Sequence, residues 1–418
     1  MNRRELITSA TAAALPTLIP SHVLGKPGKP GANDRIQLAF VGLGGRARWL
    51  IQHNEYHGAE IVAVADCNLP RCFEAAKIKP EGGRWAKYQD YRRMFEKENL
   101  DAVFVETTTH ARVLIAMHAI EAGLDVYAEK PISLTVREGR ALERAVRRSK
   151  RVLQTGTQQR SMPINIHASR LVREGAIGKV HTVVACNFLP PERWTPQPGQ
   201  PTPDGLDWDQ WCNQTELRPY HPRLHKGWAT WWDYDGGGMS WGVSGWGTHS
   251  LDQVQTALGT DDTGPVEAWP LNASPNAPVT ARYANGTLLK LEEPKKDGHS
   301  QLGAIFMGDK GTIQIVRGNF IAIPEEIRKG APEITVEGPG EDRFHIANFL
   351  ECIRTRQKPN ADVEIGHRST TVCHLINICR ELGRKVRWDP QAELFVGDDE
   401  ANGLLSRPRR KGFELPLV

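Results

Sequence analysis

The sequence predicts an α/β protein of two domains: a parallel sheet with helices on both faces, then a longer unit of different texture. Three observations carry this. From residue 35, apolar runs of strand length alternate with helical segments. A glycine-rich turn joins the first strand to the first helix. Beyond residue 157 the alternation stops, and residues 190–247 are rich in proline, tryptophan and glycine. At 418 residues the chain exceeds one ordinary core, in keeping with two domains.

The elements follow in order. IQLAFVGLGG reads as a buried strand running into a turn, and RARWLIQH as the helix after it. EIVAVAD is a second strand, a charged helical stretch follows, and DAVFVETT is a third strand. ARVLIAMHAIEAG has apolar residues at helical spacing and ends at Gly123, a C-cap glycine. DVYAEKP, TVREGRALERAVRRS and RVLQTGT continue as strand, helix and strand. Such alternation builds a parallel sheet covered on both faces. Residues 35–157 therefore form the first domain and 158–418 the second. In the latter, INIHASRLVREGAIG reads as a helix and KVHTVVACNFL as a strand. VTARYANGTLLKLEE is a hairpin turning at Asn285-Gly286. More short strands follow in GAIFMGDKGTIQIVRGNFIAI, and the helices HIANFLECIRTR and GHRSTTVCHLINICRELG come after them.

Composition excludes several classes. The 53 basic and 49 acidic residues nearly cancel, so no nucleic-acid footprint is present. No apolar run is long enough for a membrane span. The seven cysteines are scattered, odd in number and without CxxC spacing, which indicates neither a disulfide framework nor a metal site. Residues 1–25 read as a twin-arginine export signal, with Arg3 and Arg4 ahead of a weakly apolar stretch, and residues 26–34 as a linker. The expectation is a periplasmic or otherwise exported protein that folds, and loads any cofactor, before export. If the segment is an ordinary tail, the protein is cytoplasmic.

Gly42-Leu43-Gly44-Gly45-Arg46-Ala47 fits G-x-G-x-x-A between strand and helix. Gly42 permits the tight turn, Gly44 and Gly45 let backbone approach a pyrophosphate, and Ala47 keeps the helix close to the sheet. The N–H groups at the helix start, including that of Arg46, receive the anion. Asp66 ends the second strand, where a carboxylate binds ribose hydroxyls and repels a 2′-phosphate. This is the Rossmann arrangement, and it predicts NAD rather than NADP, although Arg46 and Arg71 lie near enough in sequence to weaken the discrimination.

Tyr127-Ala128-Glu129-Lys130-Pro131 ends the fourth strand, at the edge where open α/β sheets bind ligands. Together with the glycine turn, GTQQR (156–160), GLDWDQW (205–211), RPYHP (218–222), the WWDYDGGG run and GHRS (366–369), it resembles the glucose–fructose oxidoreductase/inositol dehydrogenase (Gfo/Idh/MocA) family over about residues 35–410. The resemblance implies a C-terminal α+β domain with a large, mostly antiparallel open sheet, whose outer face pairs subunits into a homodimer or homotetramer. It implies hydride exchange between NAD and a sugar or polyol hydroxyl. Lys130 would contact the reacting hydroxyl and relay its proton, and Glu129 and Lys130 would also border the cofactor. Thr108 and His110, at the third strand end, lie where the family chain passes the cofactor. Gln158 and Arg160 sit where they could reach nicotinamide or substrate.

The family pattern after the triple glycine is Asp-x-Gly-x-His or Asp-Trp-Gly-x-His. The matching residues here are Gly245-Trp246-Gly247-Thr248-His249, so the histidine is kept and the acid is absent. His249 is the candidate general base, with Trp246 and Asp252 beside the substrate; His249 and Asp252, three residues apart, share a helical face. Asp209, Tyr234 and Asp235 are candidates for the missing acid. Trp194, Trp228, Trp231, Trp232, Trp241 and Trp246 cluster in one irregular region, as sugar-stacking faces would.

The function expected is that of an NAD-dependent oxidoreductase acting on a hydroxyl of a sugar, glycoside or cyclitol, with tightly bound cofactor. Two alternatives stand beside it: a redox-neutral NAD-dependent glycosidase, and a non-catalytic glycan-binding protein with structural NAD.

Overall fold

The computed structural model describes residues 35–235, 246–292, 302–332 and 342–417. The export-signal reading of residues 1–25, the linker and the Gly245 position lie outside these residues, as does Trp241.

Six strands, β1 (Ile36–Val41), β2 (Ala59–Ala65), β3 (Ala86–Tyr88), β4 (Ala102–Val105), β5 (Asp125–Ala128) and β6 (Leu153–Thr155), form one sheet in the order β3-β2-β1-β4-β5-β6. Every pairing in it is parallel. Strand β3 lies inside the stretch expected to be helical; three residues are too few to show a period. Strands β4 and β5 are buried at every position, as a sheet covered on both faces requires. Ala39 and Val41 pack under helices 109–121 and 136–149, while Leu38 and Phe40 face helices 45–53 and 343–355.

That last helix departs from the expected boundary. Residues 343–355 return from the far end of the chain to cover the first sheet, and Phe349 meets the rings of Phe104 and Tyr127 edge-on at 5.7 and 5.8 Å. Its apolar spacing is legible in the sequence, but the sheet it covers is not.

The second sheet contains β7 (Val180–Cys186), β8 (Pro265–Pro270), β9 (Val279–Tyr283), β10 (Leu288–Glu292), β11 (Ala304–Gly308), β12 (Gly311–Val316), β13 (Asn319–Ile323), β14 (Val386–Asp389) and β15 (Leu394–Phe395). Their order is β13-β12-β11-β7-β10-β9-β8-β14-β15. Among the described residues only β7 and β10 pair in parallel; the remaining neighbours are antiparallel. The β9–β10 hairpin turns at Gly286, at φ +91°, as its Asn-Gly signal predicts. Helices 163–173, 246–258 and 363–382 pack along this sheet. On its other side Met307, Ile321 and Ile323 are 38, 44 and 67% exposed.

Residues 187–235 link the sheets through short helices at Trp208–Cys212 and Pro222–Lys226. Their indoles and tyrosines form a separate small core of Leu206, Trp208, Trp211, Tyr220, Leu224, Trp231 and Tyr234. This segment lies against the carboxyl ends of the first sheet: the Leu69 N–H donates to the Gly205 carbonyl at 2.9 Å, and the Asp207 N–H to that of Cys67 at 2.8 Å.

Candidate active site

The turn after β1 opens a cleft at the reversal of strand order between β1 and β4, the place where open α/β sheets bind ligands. Gly42 has φ +85°, and a Cβ there would lie 2.8–2.9 Å from Thr107, so no other residue fits. A Cβ on Gly44 or Gly45 would meet nothing within 4 Å; the space over the start of helix 45–53 is open. Among the described residues no side chain caps that helix, which leaves its first N–H groups able to hold an anion. Ala47 is fully buried against the sheet.

Asp66 closes the loop electrostatically. Its carboxylate accepts the Leu43 N–H at 2.7 Å and the Asn68 N–H at 2.8 Å, with Arg71 Nη1 at 3.8 Å. Burial raises its pKa above the usual carboxylate range, against the pull of Arg71 and these N–H groups. The cleft, about 430 Å³, runs from Asp66 and Arg71 past Gly44, Gly45 and Thr108 to Glu106 and Thr107. Trp211, His225, Lys226 and Trp228 of the 187–235 segment form its opposite wall. These features fit a dinucleotide: open backbone at a helix N-terminus for its phosphates and a carboxylate for a ribose.

A second cavity of about 350 Å³ adjoins it, lined by Lys130, His249, Glu129, Gln158, Trp246, Asp235 and Arg317. Arg46, Glu106, Thr107 and Trp228 line both cavities, so they meet at the end of β4. Burial is the main cause that pushes the Lys130 ammonium down to about 8; Arg46 and Arg317 push the same way, and Glu129 and Asp235 oppose them. Burial, then the cations Lys130 and Arg317, hold His249 well below the usual imidazole value. The chamber thus contains an amine that titrates near neutrality and an imidazole that stays neutral, which suits proton transfer from a hydroxyl.

Glu129 is fixed between them and the glycine loop. It accepts Arg46 Nε at 2.7 Å and the Lys130 N–H at 3.0 Å. Gly156 makes room for it, since a Cβ there would sit 2.8 Å from Glu129 Oε1. Arg46 also forks onto Asp342 at 2.7 and 3.0 Å, so its guanidinium is engaged by two carboxylates.

Several expected site residues stand elsewhere. Arg160 and Asp252 do not line the chamber. Arg160 Nε lies 2.8 and 2.9 Å from the Asp252 carboxylate, its other nitrogens reach Asp261, and Ser369 Oγ donates to Asp252 at 2.7 Å. Sequence spacing placed Asp252 on the face of His249, but the buried arginine from another element captures it. His110 is not in the cleft lining; its Nε2 meets the Trp211 carbonyl at 2.7 Å, which ties the 187–235 segment to the first domain. Of the tryptophans singled out, Trp228 and Trp246 line the chamber, whereas Trp231 packs in the segment's own core and Trp232 lies between Arg407 and Arg193, at 4.3 and 4.7 Å.

Among the acid candidates, Asp209 pairs with Arg410 at the surface and Tyr234 packs against His110 and Trp211. Asp235 alone of the three reaches the chamber, where it accepts Thr109 Oγ1 at 2.7 Å. Glu106, Arg112, Arg317 and Asp342 escaped the sequence reading. Glu106 carried a signal: like Asp66, it is an acid ending an apolar strand of the first domain.

Residues 36–157 match the description "Oxidoreductase family, NAD-binding Rossmann fold", and residues 186–415 match "Oxidoreductase family, C-terminal alpha/beta domain". The chain is 31% identical over 124 residues to an alpha-N-acetylgalactosaminidase of Bacteroides fragilis, covering 28% of this chain and 29% of that protein. It is 32% identical over 148 residues to inositol 2-dehydrogenase 4 of Saccharopolyspora erythraea, covering 35% and 42%. The matched stretch thus spans less than half the length of these curated relatives. In fold it is similar to the WlbA dehydrogenase of Bordetella pertussis, solved with NADH and UDP-GlcNAcA (TM-score 0.60, 16% identity, 85% of this chain and 99% of that one). The aldose-aldose oxidoreductase of Caulobacter crescentus, solved with glycerol, is similar to the same degree (TM-score 0.59, 20% identity, 84% and 99%). With both domain descriptions matched in order, the chain belongs to the Gfo/Idh/MocA oxidoreductase family, and its N-terminal domain is that family's NAD-binding Rossmann fold.

Proposed function

We propose that this protein oxidises a hydroxyl of a sugar, glycoside or cyclitol, with NAD held through the catalytic cycle. The observation that carries the reading is the convergence of Lys130 and His249 in a chamber that opens into the dinucleotide cleft at Glu106 and Thr107. Bound there, the nicotinamide supplies a hydride acceptor. Lys130, as the free amine, takes the hydroxyl proton, and His249, held neutral, orients the same hydroxyl. Arg46, Glu129 and Asp235 set the charge around Lys130. Dehydrogenases acting on inositols, apiose and xylose among the relatives support the substrate class.

Tight retention is supported by the 187–235 segment over the cleft and by the C-terminal tail that fastens it. Arg410 binds the Asp209 side chain and the Asn213 carbonyl, Arg407 binds the Trp232 carbonyl, and Phe413 lines the cleft. Export through Arg3-Arg4 belongs to the same proposal: a retained cofactor needs no external pool when the hydride it takes from one sugar is handed to a second, carbonyl-bearing sugar, so that each cycle ends with NAD oxidised as it began. The apolar side of the second sheet, with Ile321 and Ile323, supports pairing into a homodimer or homotetramer.

A second reading, redox-neutral cleavage of a glycoside, is favoured by the wall of Trp211 and Trp228 that the 187–235 segment adds to the cleft and by the Bacteroides fragilis relative's name. One experiment separates the two. The purified protein is incubated with a panel of sugars and glycosides, with and without added NAD, and product masses are followed. A product lighter by two hydrogens supports dehydrogenation; cleavage sustained by co-purified cofactor supports the redox-neutral cycle. No product under either condition, from protein shown to hold NAD, overturns both and leaves a glycan-binding role.

A further inference from the structure

Of the two ionisable residues at the junction, Arg46 and Glu106, Glu106 is the one without a part in the proposed proton transfer. Its backbone N–H donates to the Val41 carbonyl at 2.8 Å, which fixes it at the crevice between β1 and β4. Its side chain borders both the dinucleotide cleft and the chamber. It is buried, and among the described residues neither carboxyl oxygen has a hydrogen-bond partner. A buried carboxyl left unsatisfied costs stability, so its place here calls for a ligand.

The surrounding charges define what that ligand must supply. Arg46 lies near but is engaged by Glu129 and Asp342. Arg112 is also near, yet its terminal nitrogens donate to the Pro131 and Thr107 carbonyls. Glu129 and Asp342 add negative charge, while Tyr56 and Tyr127 lie close enough to feel the Glu106 charge. Burial first, then Glu129, raise the Glu106 pKa well above the carboxylate range, and Arg46 and Arg112 only partly offset them. A further cation is what would let this group ionise. A dinucleotide anchored by a ribose at Asp66 carries its other end toward Glu106, and that end is cationic only when oxidised.

We propose that Glu106 discriminates oxidised from reduced dinucleotide through its own proton: it releases the proton to solvent when the cationic nicotinamide binds, and keeps it when the neutral reduced ring binds. The inference rests on NAD occupying the cleft and is independent of the substrate. It makes the protein favour NAD⁺ over NADH increasingly as pH rises, because only the NAD⁺ complex gains by losing a proton. In a retained cofactor this biases the resting enzyme toward the form that accepts hydride.

The test is a competition at equilibrium. The protein as purified is equilibrated with defined NAD⁺/NADH mixtures from pH 6 to 9, and the bound dinucleotides are quantified after denaturation. The wild-type preference for NAD⁺ should rise with pH by up to about tenfold per unit. Glu106→Gln, which keeps shape but cannot ionise, should show a smaller rise, confined to the region near pH 8 where the neighbouring Lys130 loses its charge, and Glu106→Ala the same. A wild-type preference that does not change with pH overturns the proposal, as does an unchanged pH dependence in Glu106→Gln. Failure of wild type to hold either dinucleotide overturns the cofactor assignment with it.

Discussion

The Arg46 guanidinium and the Glu129 carboxylate meet at 2.7 Å although 83 residues separate them. One belongs to the helix after the glycine loop, the other to the strand end that carries Lys130. The pair therefore joins the cofactor-binding turn to the proton-handling lysine, and a change at either end is expected to reach the other.

Lys130 sets the first prediction. With its ammonium pushed down to about 8, the free-amine fraction grows as pH rises through that value. Turnover in the hydroxyl-oxidising direction should rise with pH to about 8 and then level, and the reverse direction should decline over the same range. Lys130→Ala should lower kcat by about a hundredfold or more while dinucleotide still binds. Retention of every activity by Lys130→Ala would refute the assignment.

Glu129→Gln removes a negative charge that raises the Lys130 pKa. The rising limb of the pH–kcat profile should move to lower pH, and Glu129→Asp should move it less. An unmoved limb in a folded variant would show that Lys130 does not govern the profile.

Asp66→Ser should weaken NAD binding by about 10- to 100-fold, the cost of one or two hydrogen bonds to a charged acceptor. It should also relax the preference against NADP, since Arg71 remains beside the ribose end. Titration with both dinucleotides measures the two effects together.

Arg160→Ala should destabilise the fold by about 3–5 kcal/mol, because it leaves the buried Asp252 carboxylate without its partner. Denaturant unfolding reads this directly. Asp252→Asn, in the fraction that folds, should leave KM for the substrate unchanged; a raised KM at unchanged stability would return Asp252 to the substrate site.

The parallel sheet, the glycine loop and Asp66 were legible because each depends on neighbours close in sequence, whereas Lys130 was singled out by the resemblance of its Glu-Lys-Pro frame. A strand-length apolar run, a G-x-G-x-x-A turn and an acid at the next strand end carry their meaning within a few dozen residues. Arg160, Asp252 and His110 were misplaced for the opposite reason. Their partners, Asp261, Ser369 and Trp211, come from other elements, and spacing along one helix says nothing of what packs against it.

By itself, then, the sequence determined the two-domain order, the dinucleotide turn, the preference for NAD and the lysine at the strand end. Only the tertiary structure decided which charges surround that lysine. Arg46, Asp235 and Arg317 reach it from separate parts of the chain, and their combined field, with burial, is what brings an ammonium near neutrality. It also decided that the tryptophan-rich segment lies against the cofactor cleft and that Glu106, where cleft and chamber meet, has no side-chain hydrogen-bond partner among the described residues. Desolvation and Coulomb fields depend on distance in space, and folding sets that distance regardless of separation along the chain.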